Sequence, residues 1–240
     1  MRPNADPITR PMIDAPQQLV FELPHRQALG VEDFLVSQSN AEAVALVDRW
    51  PNWPVGAAIV SGPPGSGKSH LANVWRLKSK AAVVPARDIT LSRVPEFASA
   101  VALVVEDIAG LTDEQALFHI LNLVREQRLA VLLTSDQSPG DLNVVLPDLK
   151  SRLKALPFAA IAPPDDALLQ FVLVKLFNDR QLTVDPVVIG YIMLRMERSL
   201  QAAREIVAEV DRQALVLRRG VTRAVAAAAL EKLGISEKDG

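Results

Sequence analysis

Cysteine is absent from the 240-residue sequence, which removes disulfides and any cysteine-ligated zinc or iron–sulfur site from consideration. Histidine is almost as scarce: His25, His70 and His119 are too dispersed to give metal-ligand spacing. No apolar run approaches the roughly 20 residues of a membrane-spanning helix, so no membrane role is expected. The 26 basic and 28 acidic residues leave a formal charge of -2. That balance excludes a chain that holds DNA through its own summed positive field, and direct sequence-specific DNA binding is not expected. What remains is a globular composition, 49% hydrophobic and 22% charged, in a chain long enough for one large or two smaller domains.

Residues 1–16 carry Pro3, Pro7, Pro11 and Pro16 among polar residues, with neither the apolar stretch nor the cleavage site of a signal peptide. They are expected to form a flexible tail on a cytoplasmic protein. From Ala57 onward, short apolar runs at 57–61, 81–85, 101–105, 129–134 and 158–162 alternate with helical patterns. Runs of that length suit strands buried on both faces, which predicts an α/β fold with a five-stranded parallel sheet covered by helices. Thr112-Asp113-Glu114-Gln115 fits a capping box opening one of those helices. After Pro163-Pro164 the strand-like runs stop. Helices are expected over 165–178, 186–196, 200–217 and 223–233, with Ser199 and Thr222 as N-caps and Gly234 as a stop. The expected division is a nucleotide-binding α/β domain over 25–164, a small all-helical domain over 165–234 and a fraying tail over 235–240.

Gly62-Pro63-Pro64-Gly65-Ser66-Gly67-Lys68-Ser69 fits G-x-x-x-x-G-K-[ST] between a predicted strand and a predicted helix, the context that identifies a P-loop. Glycines let backbone amides curl around phosphates, Lys68 reaches the β- and γ-phosphates, and the Ser69 hydroxyl ligates Mg²⁺. The strand at 101–105 ends in Glu106-Asp107, where P-loop proteins hold Mg²⁺ and orient water. Position by position, Glu106 falls at the metal-binding acid and Asp107 at the water-polarising acid. The shorter Asp107 side chain reaches less far toward an attacking water, so slow intrinsic hydrolysis is expected.

A P-loop domain followed by a small helical lid, together with Gly67-Lys68-Ser69-His70-Leu71, resembles the DnaA family of AAA+ proteins. Several segments extend that resemblance over about 18–233. Phe34-Leu35-Val36, Ser39-Asn40 and Ala43 resemble the family's approach to the adenine pocket. Leu133-Thr134-Ser135-Asp136 resembles its sensor 1, and Leu149-Lys150-Ser151-Arg152-Leu153 the segment bearing its arginine finger. Ile161-Ala162-Pro163-Pro164 resembles the lead into the lid. The resemblance implies that His70 and Asp136 join Gly62, Pro64, Gly65, Ser66, Gly67, Lys68 and Ser69 around ADP or ATP with Mg²⁺. It also implies that Arg152 acts on a neighbour's nucleotide. The lid arginine of the family falls near Gln201, with Arg198 and Arg204 one turn to either side, and Arg204 is taken as the candidate. No segment resembling the initiator's helix-turn-helix follows the expected lid, which places the resemblance nearer the shorter Hda type. Asp148 stands where initiators often carry a basic residue, which argues against initiator-like self-assembly, although a homodimer stays open.

Over 17–24, Gln18-Leu19-Val20-Phe21 resembles the short motif by which Hda and polymerases engage the DNA polymerase III sliding clamp. An extended segment puts Leu19 and Phe21 on one side for an apolar pocket and offers the Gln18 amide to its rim. The alternative is an edge strand packed on the core. The resemblance thus implies a regulator that docks on the clamp, stimulates ATP hydrolysis by DnaA and so prevents over-initiation of replication. The alternatives are a helicase or transposase loader ATPase and a non-catalytic nucleotide-bound adaptor.

Overall fold

The computed structural model describes residues 25–26, 34–126 and 129–235. Gln18, Leu19 and Phe21, like the two expected tails up to residue 16 and from 236, lie outside the described residues. A two-residue strand β1 (His25–Arg26) pairs antiparallel with β2 (Phe34–Leu35). The chain continues through α1 (Ala41–Asp48), β3 (Ala57–Ser61), α2 (Lys68–Ser79), β4 (Ala82–Pro85) and α3 (Val94–Phe97). There follow β5 (Ala102–Glu106), α4 (Glu114–Arg125), β6 (Ala130–Ser135), α5 (Pro147–Ala155) and β7 (Phe158–Ala160).

Strands β3 to β7 form one parallel sheet in the order β4-β5-β6-β3-β7, as the apolar runs predict. Alternation along each strand explains why those runs lack polar positions. Ile59, Leu103, Val105 and Leu133 enter one core with Leu117 and Ile120 of α4, while Ala58, Val60, Val104 and Leu132 enter another with Trp75 of α2 and Leu46 of α1. Trp75 is fully buried, stacked on Trp53 at 5.3 Å and edge-on to Trp50 at 5.9 Å, so the three tryptophans pack together.

Helices α6 (Asp166–Asp179), α7 (Pro186–Met193), α8 (Leu200–Leu217) and α9 (Arg223–Lys232) enclose a third core around Leu173, Phe177, Ile192, Val207 and Val210. Ser199 and Thr222 cap α8 and α9 as expected, accepting from the amides of Ala202 and Val225, and Gly234 takes a φ of +74° after α9. Two expectations are corrected. Helix α4 is capped by Asp113, whose carboxylate accepts from Ala116 N at 3.0 Å, while Thr112 donates its hydroxyl to Arg87 O instead. Helix α7 ends at Met193, three residues short of the expected end. Glu209 of α8 is a buried carboxylate. The Gln213 side chain, then Lys232 and Arg212, hold its carboxyl below the usual carboxylate range and tie α8 to α9.

Candidate functional site

The sheet order places β3 between β6 and β7, so the loop that follows it opens at the carboxyl ends of three adjacent strands, where α/β sheets bind ligands. Gly62 N donates to Ser135 O at 3.1 Å, fixing the loop's root to the end of β6. A Cβ at Gly62 would stand 2.5 Å from Ile161 O, so only glycine fits there. Gly65 and Gly67 adopt φ of +71° and +106°, the left-handed region that other residues enter at a cost. Gly67 leads directly into α2, whose first residues are Lys68, Ser69 and His70.

This geometry fits a phosphate group. The Ser66 hydroxyl is buried in the loop with no hydrogen-bond partner, an atom that a phosphate oxygen would satisfy. The Lys68 ammonium donates to the loop's own carbonyls, Gly62 O at 2.6 Å and Pro63 O at 3.0 Å. Burial lowers the Lys68 pKa, and the negative charges of Asp136 and Asp107 oppose that shift.

Glu106 ends β5, half-buried, opposite Pro85 of the edge strand. Asp107 follows with φ of +57°, uncommon for a residue with a side chain, and its backbone amide donates to Thr134 Oγ1 at 3.1 Å. The contact with Thr134 ties Asp107 to β6. Asp136, one residue past β6, is exposed. Among the described residues no group of three or more His, Cys, Asp or Glu could hold a metal ion unaided, so Mg²⁺ would share its coordination with phosphate oxygens.

Helix α8 closes over the loop. Leu200 N donates to Gly65 O at 2.8 Å, the Leu200 side chain lies over Gly67, and a Cβ on Gly65 would meet Ser199 Cβ at 2.7 Å. The N-cap at Ser199 was legible in the sequence; its seat on the P-loop was not. Between the loop and the helices lies a cleft of about 400 Å³, lined by Leu35 and Asn40, by Ser66, Ser69, His70 and Asn73, by Leu168, Val172, Lys175, Leu176 and Asp179 of α6, and by Leu200 and Arg204. Of the three residues near the expected lid arginine, only Arg204 lines this cleft. Arg198 pairs with Asp166, and the Gln201 amide donates to Glu205. His70 lines the cleft as well. Sequence reasoning missed Asn73, Lys175 and Asp179, which carry no motif. Gly65→Ala should lower the melting temperature and weaken ADP binding, since the left-handed backbone alone costs about 1 kcal/mol or more and the added methyl displaces Ser199. Thermal melts with and without ADP check this; an unchanged melt would mean that α8 does not rest on the loop.

Arg152 stands elsewhere. It shares a groove with Gly56, Ala57, Val101, Leu129 and Ala130, at the amino ends of the strands, so the length of β3, about 3.3 Å per residue, separates it from the chain's own P-loop. Its guanidinium donates to Asn122 Oδ1 at 2.6 Å and lies 4.1 Å from the Phe118 ring centre, both on α4. Glu114, at the start of α4, accepts from Val145 N and Leu146 N at 2.8 and 2.6 Å and so anchors the start of α5.

No protein-family model matches the chain. It is 31% identical over 144 residues to an insertion sequence ATP-binding protein of Sinorhizobium fredii, a match that covers 51% of this chain and 47% of that protein. It is 25% identical over 228 residues to the chromosomal replication initiator protein DnaA of Symbiobacterium thermophilum, covering 84% of this chain and 50% of that one. The chain therefore spans about half the length of the curated relatives it matches. Among solved structures it is similar to domain III of the Thermotoga maritima replication initiation protein DnaA, with a TM-score of 0.70 at 18% identity over 83% of this chain and 94% of that one. It is also similar to AMPPCP-bound DnaA from Aquifex aeolicus, with a TM-score of 0.64 at 20% identity over 76% of this chain and 65% of that one. The fold is that of AAA+ P-loop domains such as the DnaA ATPase domain.

Proposed function

We propose that this chain is an Hda-like regulator that binds an adenine nucleotide in its own cleft and presents Arg152 to the nucleotide of a neighbouring DnaA. The observation that carries this reading is the separation of the two elements: a phosphate-fitting loop at one end of the sheet and, at the other, an arginine fixed by Asn122 and Phe118. An arginine so far from the chain's own loop supports a role on another chain's nucleotide.

In the chain's own cleft, the P-loop from Gly62 to Ser69, with Pro64 exposed at its crest, would cradle the phosphates. Lys68 would exchange its two carbonyl partners for phosphate oxygens, and Ser69 with Glu106 would hold Mg²⁺. Leu35 and Asn40 would border the base, and Arg204 would reach the phosphates from α8. His70 and Asp136 complete the site. Bound Mg²⁺ supplies charge neutralisation for the phosphates. Asp107 would polarise a water, and its short side chain, which reaches less far, would make turnover in this site slow.

Gln18, Leu19 and Phe21 are proposed to dock the protein on the sliding clamp. The test combines DnaA, ATP and DNA-loaded clamp, with and without this chain: DnaA-bound ATP should be hydrolysed only when all are present. Gln18→Ala, Leu19→Ala and Phe21→Ala together should weaken clamp binding at least tenfold, because apolar anchors carry most of a short-peptide contact. Folding and ADP binding should stay intact. If the triple variant unfolds, those residues belong to the core as an edge strand.

A second reading is favoured by the 31% identity to the insertion sequence ATP-binding protein. A transposase- or helicase-loading ATPase would use its own turnover, so appreciable ATP hydrolysis by this chain alone in the presence of DNA would select it over the regulator.

A further inference from the structure

At the amino ends of the strands lies a groove of about 780 Å³, nearly twice the volume of the nucleotide cleft. Trp50 and the buried Trp53 line it, with the fully buried Trp75 packed against both, and so do Val55 and Val101, 48% and 75% exposed. Arg125, exposed at the end of α4, and Arg152 line it as well. Among the described residues that line the groove these two arginines are the only charged ones, and no carboxylate is among them.

An open apolar trough that also carries two guanidiniums is unfavourable to leave in water on its apolar side and unsuited to another apolar surface on its charged side. The ligand that satisfies both halves has apolar side chains and a carboxylate close together. We propose that this groove docks an acidic, apolar segment of a protein partner, with aliphatic or aromatic side chains against Trp50 and Val101 and a carboxylate on Arg125, whose planar fork can donate to it in bidentate fashion. The site is separate from the nucleotide cleft and does not depend on what that cleft binds. Its nearness to Arg152 means that a partner seated here would also lie against that guanidinium. A nucleic acid is the less suited occupant, because two positive groups beside an apolar floor give no track for a run of phosphates.

The three tryptophans of the sequence are all in or beneath this groove, so intrinsic fluorescence reports its occupancy without a label. A random 12-residue peptide library displayed on phage is panned against the full chain, and the enriched peptides are synthesised and titrated by tryptophan emission and calorimetry. The peptides should carry Asp or Glu within a few residues of Leu, Ile, Phe or Trp and should shift the emission. Arg125→Glu and Val101→Asp, both at exposed positions outside the nucleotide site, should each weaken binding at least tenfold while the ADP-induced gain in melting temperature stays at the wild-type value. Lys68→Ala should bind the peptides normally, which separates this proposal from the reading of the nucleotide site. The proposal is overturned by any of four results: no enrichment over a blank surface, enriched peptides without carboxylates, equal binding by Arg125→Glu, or an emission shift with single-stranded oligothymidine that the peptides do not displace. A chain lacking residues 1–16 should show the intact chain's emission and peptide affinity. Tighter peptide binding by the shortened chain would instead assign the groove to its own amino-terminal segment.

Discussion

Arg152→Ala should abolish stimulation of DnaA-bound ATP hydrolysis, a loss of roughly 10³- to 10⁵-fold in the stimulated rate, the range over which an arginine supplied in trans acts on phosphoryl transfer. The guanidinium stabilises charge that spreads over the phosphoryl oxygens in the transition state, so its removal falls on the rate rather than on ground-state binding. Two contacts within the chain are lost as well, the bond to Asn122 and the stacking on Phe118. For a half-exposed pair of this kind the cost is about 1 kcal/mol, too little to unfold a domain of this size. ADP affinity, clamp binding and the melting temperature should therefore stay close to wild type. Arg152→Lys should not restore the rate, because an ammonium cannot reproduce the planar fork or keep both α4 contacts. The measurement is phosphate release from DnaA-bound ATP in the presence of DNA-loaded clamp. Wild-type stimulation by the alanine variant would sink the trans-acting role and leave a nucleotide-bound adaptor as the better reading.

Lys68→Ala should lower ADP affinity at least tenfold, about 1.4 kcal/mol or more. Lys68 is the only basic side chain that the P-loop itself contributes, and the nearest opposing charges, Asp107 and Asp136, are acids that would repel phosphate once the ammonium is gone. In the free loop the ammonium is held by Gly62 O and Pro63 O, so the substitution also removes two hydrogen bonds that shape the loop before any ligand arrives. The gain in melting temperature on adding ADP should shrink accordingly, since stabilisation by a ligand follows the logarithm of its saturation. Calorimetric titration with ADP decides the matter: unchanged affinity would remove the loop from the nucleotide site.

The strands of the sheet and the P-loop were legible because each rests on local chemistry. A strand buried on both faces must be apolar at successive positions, and 57–61 and 129–134 read as strands without reference to anything distant. A loop that wraps phosphates needs glycines at fixed offsets, and Gly62, Gly65 and Gly67 stand at them. The caps at Ser199 and Thr222 likewise follow from a hydroxyl placed three residues before a free amide. The cap of α4 went to Asp113 rather than Thr112 because the Asp113 carboxylate serves two amides at once, Ala116 N in its own helix and Leu91 N from 22 residues upstream, and the second is invisible in a local window.

By itself, then, the sequence determined the parallel sheet, the phosphate loop, the acids at the end of β5 and the helical segment that follows the sheet, since each depends on residues within a few positions of one another. Tertiary structure brought Arg204, the candidate from sequence, to the cleft, because Leu200 docks on Gly65 at the start of α8, while Arg198, ahead of that helix, pairs with Asp166. It also decided that Arg152 is held by Phe118 and Asn122, some 30 residues earlier, and that two tryptophans and two arginines line one groove at the opposite end of the sheet from the P-loop. Such contacts join residues far apart in the chain, and no periodicity or spacing encodes them. They exist because parallel strands bring every strand's amino end to one edge and every carboxyl end to the other.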